Sequence, residues 1–326
     1  MRILAAFLAC SALVPMAPGQ GFSLDRNLAY VDRQGQRQTM DLYRPKAKAD
    51  KPYPVALLIH GGGWNKGSKL YPDVMIFVRM MLELDIACAA ISYRLAPRSV
   101  YPAQIQDCQR AIQYLRHNAS KFGIDPHRIA AVGASAGGHL AALMGTQPDQ
   151  ADATAEDLIA RQSTKPTCVI DYFGPMILEP DSEVGKKGEA LVRRFLGCAG
   201  EPTPRDIMRA RDASPLLHLT RDDPPILLVH GDSDPLVPLE QSQRMARACA
   251  ALGICHEMVV VANGSHGDFM AVGLALSVLR PPTFWGRTQA FLKNYLIRVP
   301  GDCPAKSEAP ALDKGAATKP SRKNRD

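Results

Sequence analysis

The chain has 326 residues, of which 46% are hydrophobic and 22% charged, the balance of a globular protein with a substantial core. The two ends carry part of its net charge of +7, and no cluster of basic residues interleaved with aromatic residues is present, so nucleic acid is not an expected partner. Because α/β sheets often reach this length as one unit, the length does not require a division into domains.

Residues 1–19 have the pattern of an export signal. Met1 and Arg2 form a short positive region, and the apolar segment ILAAFLACSALVPMA follows, too short to span a bilayer comfortably. We expect cleavage near residues 19–22 and an exported protein, periplasmic or extracellular, with no stable membrane span after the signal is removed. A retained N-terminal anchor, or lipid attachment at Cys10, is the alternative.

After the signal, the sequence predicts a mostly parallel central sheet with helices on both faces. Residues 28–43 read as an antiparallel hairpin, with DRQGQRQ as its turn region. The later strands are continuously apolar, as in sheets buried on both faces, and they are VALLI (55–59), IACAAISY (86–93), RIAAVGA (128–134), TCVIDYF (167–173), PILLVHG (225–231) and EMVVVAN (257–263). Segments with apolar residues spaced three and four apart alternate with them, at 74–85, 103–123, 137–145, 239–253 and 284–297. This alternation is typical of an α/β fold.

Residues 175–224 break the alternation of strand and helix. The segment is charged, has helical character and is too long for a plain crossover, so we expect a short cap-like insertion over the carboxyl edge of the sheet. A surface excursion without functional consequence is the alternative. The catalytic domain is expected to span residues 20–300. Residues 301–326, rich in Ala, Pro, Lys and Ser, are predicted to be a disordered basic tail.

The cysteines fit an exported protein without a metal site. Removal of Cys10 leaves seven, so at least one thiol stays unpaired, and Cys249 and Cys255 are close enough in sequence to form a disulfide. No CxxC pair occurs and no cysteine stands in ligand spacing with a histidine, so we expect no metal. Cys88, within IACAAISY, reads as a small buried hydrophobe.

Ser135 occupies the centre of a G-x-S-x-G motif at the junction of a predicted strand and a predicted helix. A sharp turn there forces close backbone approach, which glycine tolerates at positions 133 and 137. The helix that follows presents unpaired amides and the positive end of its dipole, which favour negative charge close to Ser135. The pattern predicts a nucleophilic serine held above the sheet.

The base and acid that a serine nucleophile needs follow in the order of an α/β-hydrolase. HGDSDPLVP (230–238) supplies Asp234 after one buried strand, and ANGSHGDF (262–269) supplies His266 after the next. All three candidates lie at carboxyl ends of predicted strands, where open α/β sheets bind ligands. Asp232 is a rival acid, with a turn-forming role as its alternative.

The glycine loop after the first buried strand completes the predicted site. His60-Gly61-Gly62-Gly63-Trp64 leaves amides free to bind an anion, so we expect the amide of Gly62 or Gly63 to form an oxyanion hole with that of Ala136. A phosphate-binding loop is the alternative, but the P-loop ending and the G-x-G-x-x-G spacing are both missing. Trp64 is expected either to line the acyl pocket or to serve packing alone.

Several segments together resemble the carboxylesterases of the α/β-hydrolase superfamily, nearest to the xylan-esterase and feruloyl-esterase-like group related to the hormone-sensitive lipase family. The likeness runs from about residue 25 to 297 and is carried by HGGGWNKGS (60–68), ISYRLAP with YPAQIQD (91–107), GIDPHRIAAVGASAGGHLAAL (123–143), DASPL (212–216) and PPILLVHGDSDPLVPLEQS (224–242). It implies Ser135 as nucleophile, Asp234 as acid, His266 as base and no cofactor. HGDF at 266–269 departs from the usual histidine, glycine, aromatic order, which affects the pocket wall.

Other polar residues in these motifs are expected to be structural. His60, His139 and His230 are read as hydrogen-bonding residues, and Arg94 with Asp107 as a buried pair. The expected activity is hydrolysis of short acyl esters, with acetyl or feruloyl groups on plant polysaccharide as candidate substrates alongside small esters. A formamidase-type amidase with the same triad is an alternative. A non-catalytic binding protein would lack a triad member, and none is missing. Oligomeric state is not predicted.

Overall fold

The computed structural model describes residues 21–33, 36–46, 51–179, 182, 184, 188–268, 270 and 283–298. The expected signal at 1–19 and tail at 301–326 lie outside these residues. One sheet in the described part contains eight strands in the order β1-β2-β4-β3-β5-β6-β7-β8. The strands are β1 (Phe22–Arg33), β2 (Gln36–Pro45), β3 (Tyr53–Ile59), β4 (Ala87–Ile91), β5 (Ile124–Ala134), β6 (Cys168–Tyr172), β7 (Ile226–Gly231) and β8 (His256–Val261).

The sheet is mixed in the way the sequence predicts. β1 and β2 form an antiparallel hairpin that is longer than the predicted 28–43, and β2 runs antiparallel to β4, with Leu42 opposite Ala89. The pairs from β4 through β3, β5, β6 and β7 to β8 are all parallel. The predicted fold, a mostly parallel sheet preceded by an antiparallel hairpin, is confirmed, and it is the α/β-hydrolase fold.

Burial on both faces explains why the inner strands are continuously apolar. Successive residues of β3 point to opposite faces, so Leu57 belongs to the hydrophobic cluster on one side and Leu58 to the cluster on the other. Both are fully buried. The terminal strand β8 is only partly covered, and Val260 is 41% exposed. The inner strands are therefore held firmly on both faces, and the residues at their carboxyl ends are positioned by this buried sheet.

Helices cover both faces of the sheet. They are α1 (Pro72–Glu83), α2 (Ala103–His117), α3 (Ala119–Phe122), α4 (Ala136–Thr146), α5 (Glu189–Leu196), α6 (Pro204–Asp212), α7 (Glu240–Leu252) and α8 (Thr283–Leu292). The single helix predicted at 103–123 divides at Asn118, whose side-chain amide donates to the Tyr114 carbonyl. α8 continues into a π-helical turn, Lys293–Ile297. None of the helices in the described ranges has the length and apolar character needed to cross a bilayer.

The predicted insertion contains α5, α6 and a 3₁₀-helix, Pro215–His218. α6 begins at a capping box in which Thr203 and Asp206 satisfy each other's backbone amides. Several contacts attach the insertion to the body. The Tyr101 hydroxyl donates to the Asp212 carboxylate at 2.7 Å, and the Phe195 ring stacks on Trp64 with centroids 4.4 Å apart. The insertion is thus packed onto the glycine loop.

The cysteines differ from the simplest expectation. Cys255 is disulfide-bonded, whereas Cys249 is a buried free thiol, so a disulfide between the two is wrong. Cys249 is on the inner face of α7 and packs in the core, where burial raises the pKa of its thiol to about 12. Cys88 is a fully buried free thiol, as the sequence predicts.

Candidate active site

Ser135 lies in a strained turn between β5 and α4. Its φ of 54° is unusual for a residue with a side chain, and its amide donates to the Tyr172 carbonyl at 2.8 Å. A Cβ at position 133 would collide with the backbone of Gly137, and a Cβ at 137 would collide with the Ile59 carbonyl oxygen. Both glycines of the motif are therefore required, because the turn brings three pieces of backbone together.

His266 connects Ser135 to Asp234. Its Nε2 is 2.9 Å from the Ser135 Oγ, and its Nδ1 is 2.7 Å from Asp234 Oδ2. The other carboxylate oxygen, Oδ1, accepts the amides of Leu236 at 2.8 Å and Val237 at 2.9 Å. The three predicted residues, 131 and 32 positions apart along the chain, thus form one continuous hydrogen-bonded row.

Asp234 is held in its charged form. Its side chain is fully buried, and burial raises the pKa of its carboxyl, but hydrogen bonds from His230 and His266 and the Val237 amide more than offset this. The pKa of Asp234 is therefore well below the ordinary value for aspartate. A permanent carboxylate keeps the proton of His266 on Nδ1 and leaves Nε2 free to accept a proton from Ser135.

Phe173 positions the imidazole from the side. Its ring meets the His266 ring edge-on, with centroids 4.8 Å apart, and it adopts a φ of 46°, rare for a bulky residue. Gly267 has a φ of 82°, and a Cβ there would come within 3.2 Å of the Phe173 ring. The glycine after His266 therefore lets the loop pack closely on Phe173. Phe269, the aromatic of the HGDF departure, lies outside the described residues.

The glycine loop provides free amides beside the serine. The Gly61 amide is not free, because it donates to Asp73 Oδ2 at 2.8 Å. Within the described residues, the amides of Gly62, Gly63 and Ala136 have no hydrogen-bond acceptor. Gly63 and Ala136 line the same cavity as Ser135, whereas Gly62 does not. Of the predicted donors, Gly63 and Ala136 are therefore best placed to stabilise an anion on the substrate.

The cavity at Ser135 is small and largely apolar. It holds about 40 Å³, room for about three water-sized groups. Its walls come from the glycine loop, the nucleophile turn, the insertion and the loop after β7, and they include Gly63, Trp64, Ala136, Val184, Leu191, Val192, Leu236 and Val237. Trp64 lines this cavity and, only 4% exposed, also packs against Phe195.

The histidines predicted to be structural contact groups other than the Ser135 hydroxyl. His139 Nδ1 accepts from the Trp64 indole at 3.2 Å and its Nε2 donates to the Ala213 carbonyl at 2.7 Å, while burial lowers its pKa to about 4. His230 contacts the Ser242 hydroxyl and the Val237 carbonyl. His60 stacks on Tyr93, with centroids 4.1 Å apart.

The remaining polar predictions are resolved by their contacts. Asp232 is exposed and accepts the Asn263 amide at 2.7 Å, so it shapes the turn and does not contact His266. The carboxylate of Asp107 is 2% exposed and lies 2.8 Å from the Arg94 guanidinium, which confirms the predicted pair. Asp107 Oδ2 also accepts the Arg94 amide, so the pair fixes the YRLAP segment.

The family of the chain follows from a comparison with known proteins. The BD-FAE family model matches residues 40–249, well over half of the chain. The chain belongs to the BD-FAE family. This BD-FAE protein is 33% identical over 229 residues to esterase LipC of Mycobacterium tuberculosis, covering 70% of this chain and 55% of LipC. It is 28% identical to the isoprenylcysteine alpha-carbonyl methylesterase ICME of Arabidopsis thaliana, covering 74% of this chain and 56% of ICME. The chain spans about half the length of the curated relatives it matches.

Solved structures share the BD-FAE protein's fold over most of its length. The acetyl ester-xyloside bifunctional hydrolase from Caldicellulosiruptor lactoaceticus superposes with a TM-score of 0.70 at 25% identity, covering 87% of this chain and 98% of that one. The propionate-bound esterase Est2 of Thermogutta terrifontis gives 0.67 at 24%, covering 87% and 98%. The resemblance to α/β-hydrolase carboxylesterases is thereby confirmed.

Two contacts at and after the glycine loop of this BD-FAE protein involve residues that no sequence motif identifies. Asp73, in the first turn of α1, accepts the Gly61 amide, and Lys69 Nζ forms an ion pair with Asp41 at 2.6 Å. The Lys69 and Asp41 side chains are only 10% and 6% exposed. An acidic residue in a first helical turn is common, so nothing in the sequence distinguishes Asp73 from an ordinary capping residue.

Proposed function

We propose that this protein is a serine carboxylic ester hydrolase whose nucleophile is Ser135. The observation that carries the proposal is the hydrogen-bonded row from Ser135 Oγ through His266 to Asp234, with distances of 2.9 and 2.7 Å. The curated relatives named above are esterases, which supports the reaction class. Gly63 and Ala136 line the cavity at Ser135, and His266 and Asp234 reach the Ser135 hydroxyl through hydrogen bonds, an arrangement suited to acyl transfer.

In the proposed reaction His266 Nε2 takes the proton of Ser135 as Oγ attacks the ester carbonyl carbon. The imidazolium formed is stabilised by the Asp234 carboxylate and then gives its proton to the departing alcohol oxygen. A water molecule attacks the acyl-serine in the second half, His266 again acts as base, and the acid is released with Ser135 regenerated.

The amides of Gly63 and Ala136 are proposed to bind the oxygen of the tetrahedral intermediate. Ala136 is the first residue of α4, so its amide has no partner within the helix, and the helix dipole adds positive potential at that end. Removing one such donor lowers kcat by about 10²–10³-fold in serine hydrolases. The Gly61 amide already donates to Asp73, so it is not proposed as an oxyanion donor.

The cavity favours a small acyl group. Room for about three water-sized groups suits an acetyl or propionyl chain, and a feruloyl group, with its aromatic ring, exceeds it. A structural neighbour is named as an acetyl ester-xyloside hydrolase, and another as a carbohydrate esterase from gut microbiota. We therefore propose acetyl esters of carbohydrates as the preferred substrate class, ahead of feruloyl esters.

The test compares wild-type protein with Ser135→Ala on p-nitrophenyl acetate, butyrate and octanoate, and on acetylated xylan and methyl ferulate. Acetate hydrolysis is expected to fall by at least about 10⁴-fold in the variant. Ser233→Ala, which removes an exposed hydroxyl beside Asp232, is the matched control and should keep full activity. Equal rates for wild type and Ser135→Ala would refute the serine mechanism.

The amidase alternative is separated by adding N-formyl and N-acetyl anilides to the same assay. Hydrolysis of anilides without esters would replace the esterase proposal by an amidase one. We also propose export directed by residues 1–19, which suits a substrate outside the cell. Intact-mass measurement of the protein from the producing organism tests this, and retention of Met1 or Arg2 would contradict it.

A further inference from the structure

A second cavity lies within the insertion, between α5 and α6. It also holds about 40 Å³. Its apolar lining comes from both helices and the segment before them, through Leu178, Val184, Val192, Leu196 and Ala210. The residues of the proposed reaction do not line it, so it has no part in the chemistry described above.

Val184 and Val192 line both this cavity and the cavity at Ser135. Both side chains are buried, at 4% and 8% exposure. A residue that faces two cavities at once lies between them. The two valines therefore form the partition between the space beside the nucleophile and the space inside the insertion.

Helix α5 holds Val192 in this partition. Three residues further on, the Phe195 ring is stacked on Trp64, and the Phe195 carbonyl accepts the Tyr101 amide at 2.9 Å. At the following position Leu196 lines only the second cavity, while Leu191 lines only the first. The helix therefore presents Leu191 to the first cavity, Leu196 with Glu189 and Arg193 to the second, and Val192 to both. Its anchors leave Val192 little freedom to move aside.

We propose that Val192 sets the acyl-chain length of the enzyme by closing off the second cavity, which is an apolar extension of the acyl pocket. This inference rests on the proposed esterase function and adds the residue that limits its substrates. The chemical class admitted when the partition is removed is a medium-length fatty acyl chain, since most of the cavity surface is apolar, although Glu179, Glu189, Arg193 and Asp206 also line it. Each methylene that gains burial there should raise kcat/KM about fourfold.

The experiment measures kcat/KM on p-nitrophenyl acetate, butyrate, hexanoate and octanoate for wild type and three variants. Val192→Ala removes the partition, whereas Leu196→Ala enlarges only the second cavity and leaves the partition in place. We expect the octanoate-to-butyrate ratio to rise at least about tenfold in Val192→Ala and to stay within about twofold of wild type in the Leu196→Ala control. Val184→Ala, the other half of the partition, should raise the ratio in the same direction, and it replaces Val192→Ala if that variant does not fold.

Each outcome bears on a different claim. Acetate hydrolysis by wild type and folded variants, with an unchanged octanoate-to-butyrate ratio in Val192→Ala and Val184→Ala, would overturn the partition while leaving the esterase intact. An equal rise in Leu196→Ala would also overturn it, because that substitution leaves the partition between the two cavities in place. A wild type inert on every ester would reject the proposed function, and the inference with it.

Discussion

Asp73 offers a test of how the glycine loop is held beside Ser135. Its Oδ2 accepts the Gly61 amide at 2.8 Å and its Oδ1 accepts the Val74 amide at 2.7 Å. Burial raises the pKa of Asp73 from 3.8 to about 6, although both amides act to lower it. Ionised Asp73 is therefore less stable in the folded protein than in the unfolded chain, even though it supports the loop.

The expected change in the free energy of unfolding follows from the pKa of Asp73 in the unfolded chain and in the folded protein. A carboxyl with a raised folded-state pKa binds protons more tightly when folded, so the wild type loses stability as pH rises from about 4 to 6 and stays level above. The rise from 3.8 to about 6 corresponds to about 3 kcal/mol. Asp73→Asn, which mimics the protonated carboxyl, should therefore be more stable than wild type by at most about 3 kcal/mol at pH 8, and by about half of that at pH 5.

Asp73→Ala should behave differently, because it leaves the Gly61 amide without an acceptor. An unsatisfied buried amide costs about 1–3 kcal/mol, and a misplaced oxyanion loop lowers kcat by about tenfold to a hundredfold. Asp73→Asn keeps an oxygen for Gly61 and should retain kcat within about threefold of wild type.

Urea unfolding at pH 5 and pH 8, together with kcat on p-nitrophenyl acetate, measures both effects of the Asp73 variants. Asp222→Asn, at an exposed position, is the matched control and should show no pH-dependent gain. Full activity of Asp73→Ala would refute the positioning role. A stability gain of Asp73→Asn that does not depend on pH would refute the electrostatic reasoning.

Three further substitutions probe the other supports of the site. Asp234→Asn should lower kcat on p-nitrophenyl acetate by about 10⁴-fold because it no longer fixes the His266 tautomer, and a loss below tenfold would argue against the triad. Lys69→Ala leaves Asp41 charged and buried, so the free energy of unfolding in urea should fall by about 3–5 kcal/mol. Arg247→Ala, which breaks an exposed ion pair, is its control and should lower the free energy of unfolding by less than about 1 kcal/mol. Gly137→Ala should abolish activity through collision with the Ile59 carbonyl, whereas Gly286→Ala, in open space on α8, should be neutral or slightly stabilising by thermal melting.

The sheet and the hydrogen-bonded row of Ser135, His266 and Asp234 were predictable because both depend on local signals. A strand buried on both faces must be apolar throughout, as VALLI is, and the turn at Ser135 requires glycine on both sides for steric reasons that the sequence displays. Asp234 and His266 could be selected because each follows such a strand. The rival Asp232 could not be dismissed from sequence, since only the fold shows that it turns to the Asn263 amide.

The supporting contacts were not predictable because they join residues distant in sequence without a motif. The Phe195 ring stacks on Trp64 from 131 positions away, and Phe173 meets His266 across 93 positions. The sequence indicated that residues 175–224 form an insertion, but the helices within it are short and amphipathic, and their orientation depends on the body beneath them. Such contacts result from tertiary packing, which propensity and spacing do not encode.

The glycine loop couples the insertion to the proposed oxyanion hole. Trp64 directly follows Gly63 and packs on Phe195 of α5, and a Cβ at Gly63 would come within 3.1 Å of the Leu191 side chain. A shift of α5 relative to the body would therefore move Trp64 and, with it, the Gly63 amide. Asp73 holds the start of the loop through the Gly61 amide, and Lys69, which follows the loop in sequence, is paired with Asp41. A substitution of Val192 that preserves the Trp64 stack should therefore change which acyl chains fit without changing the rate on acetate, whereas a substitution in α5 that removes the stack should lower the rate on every ester.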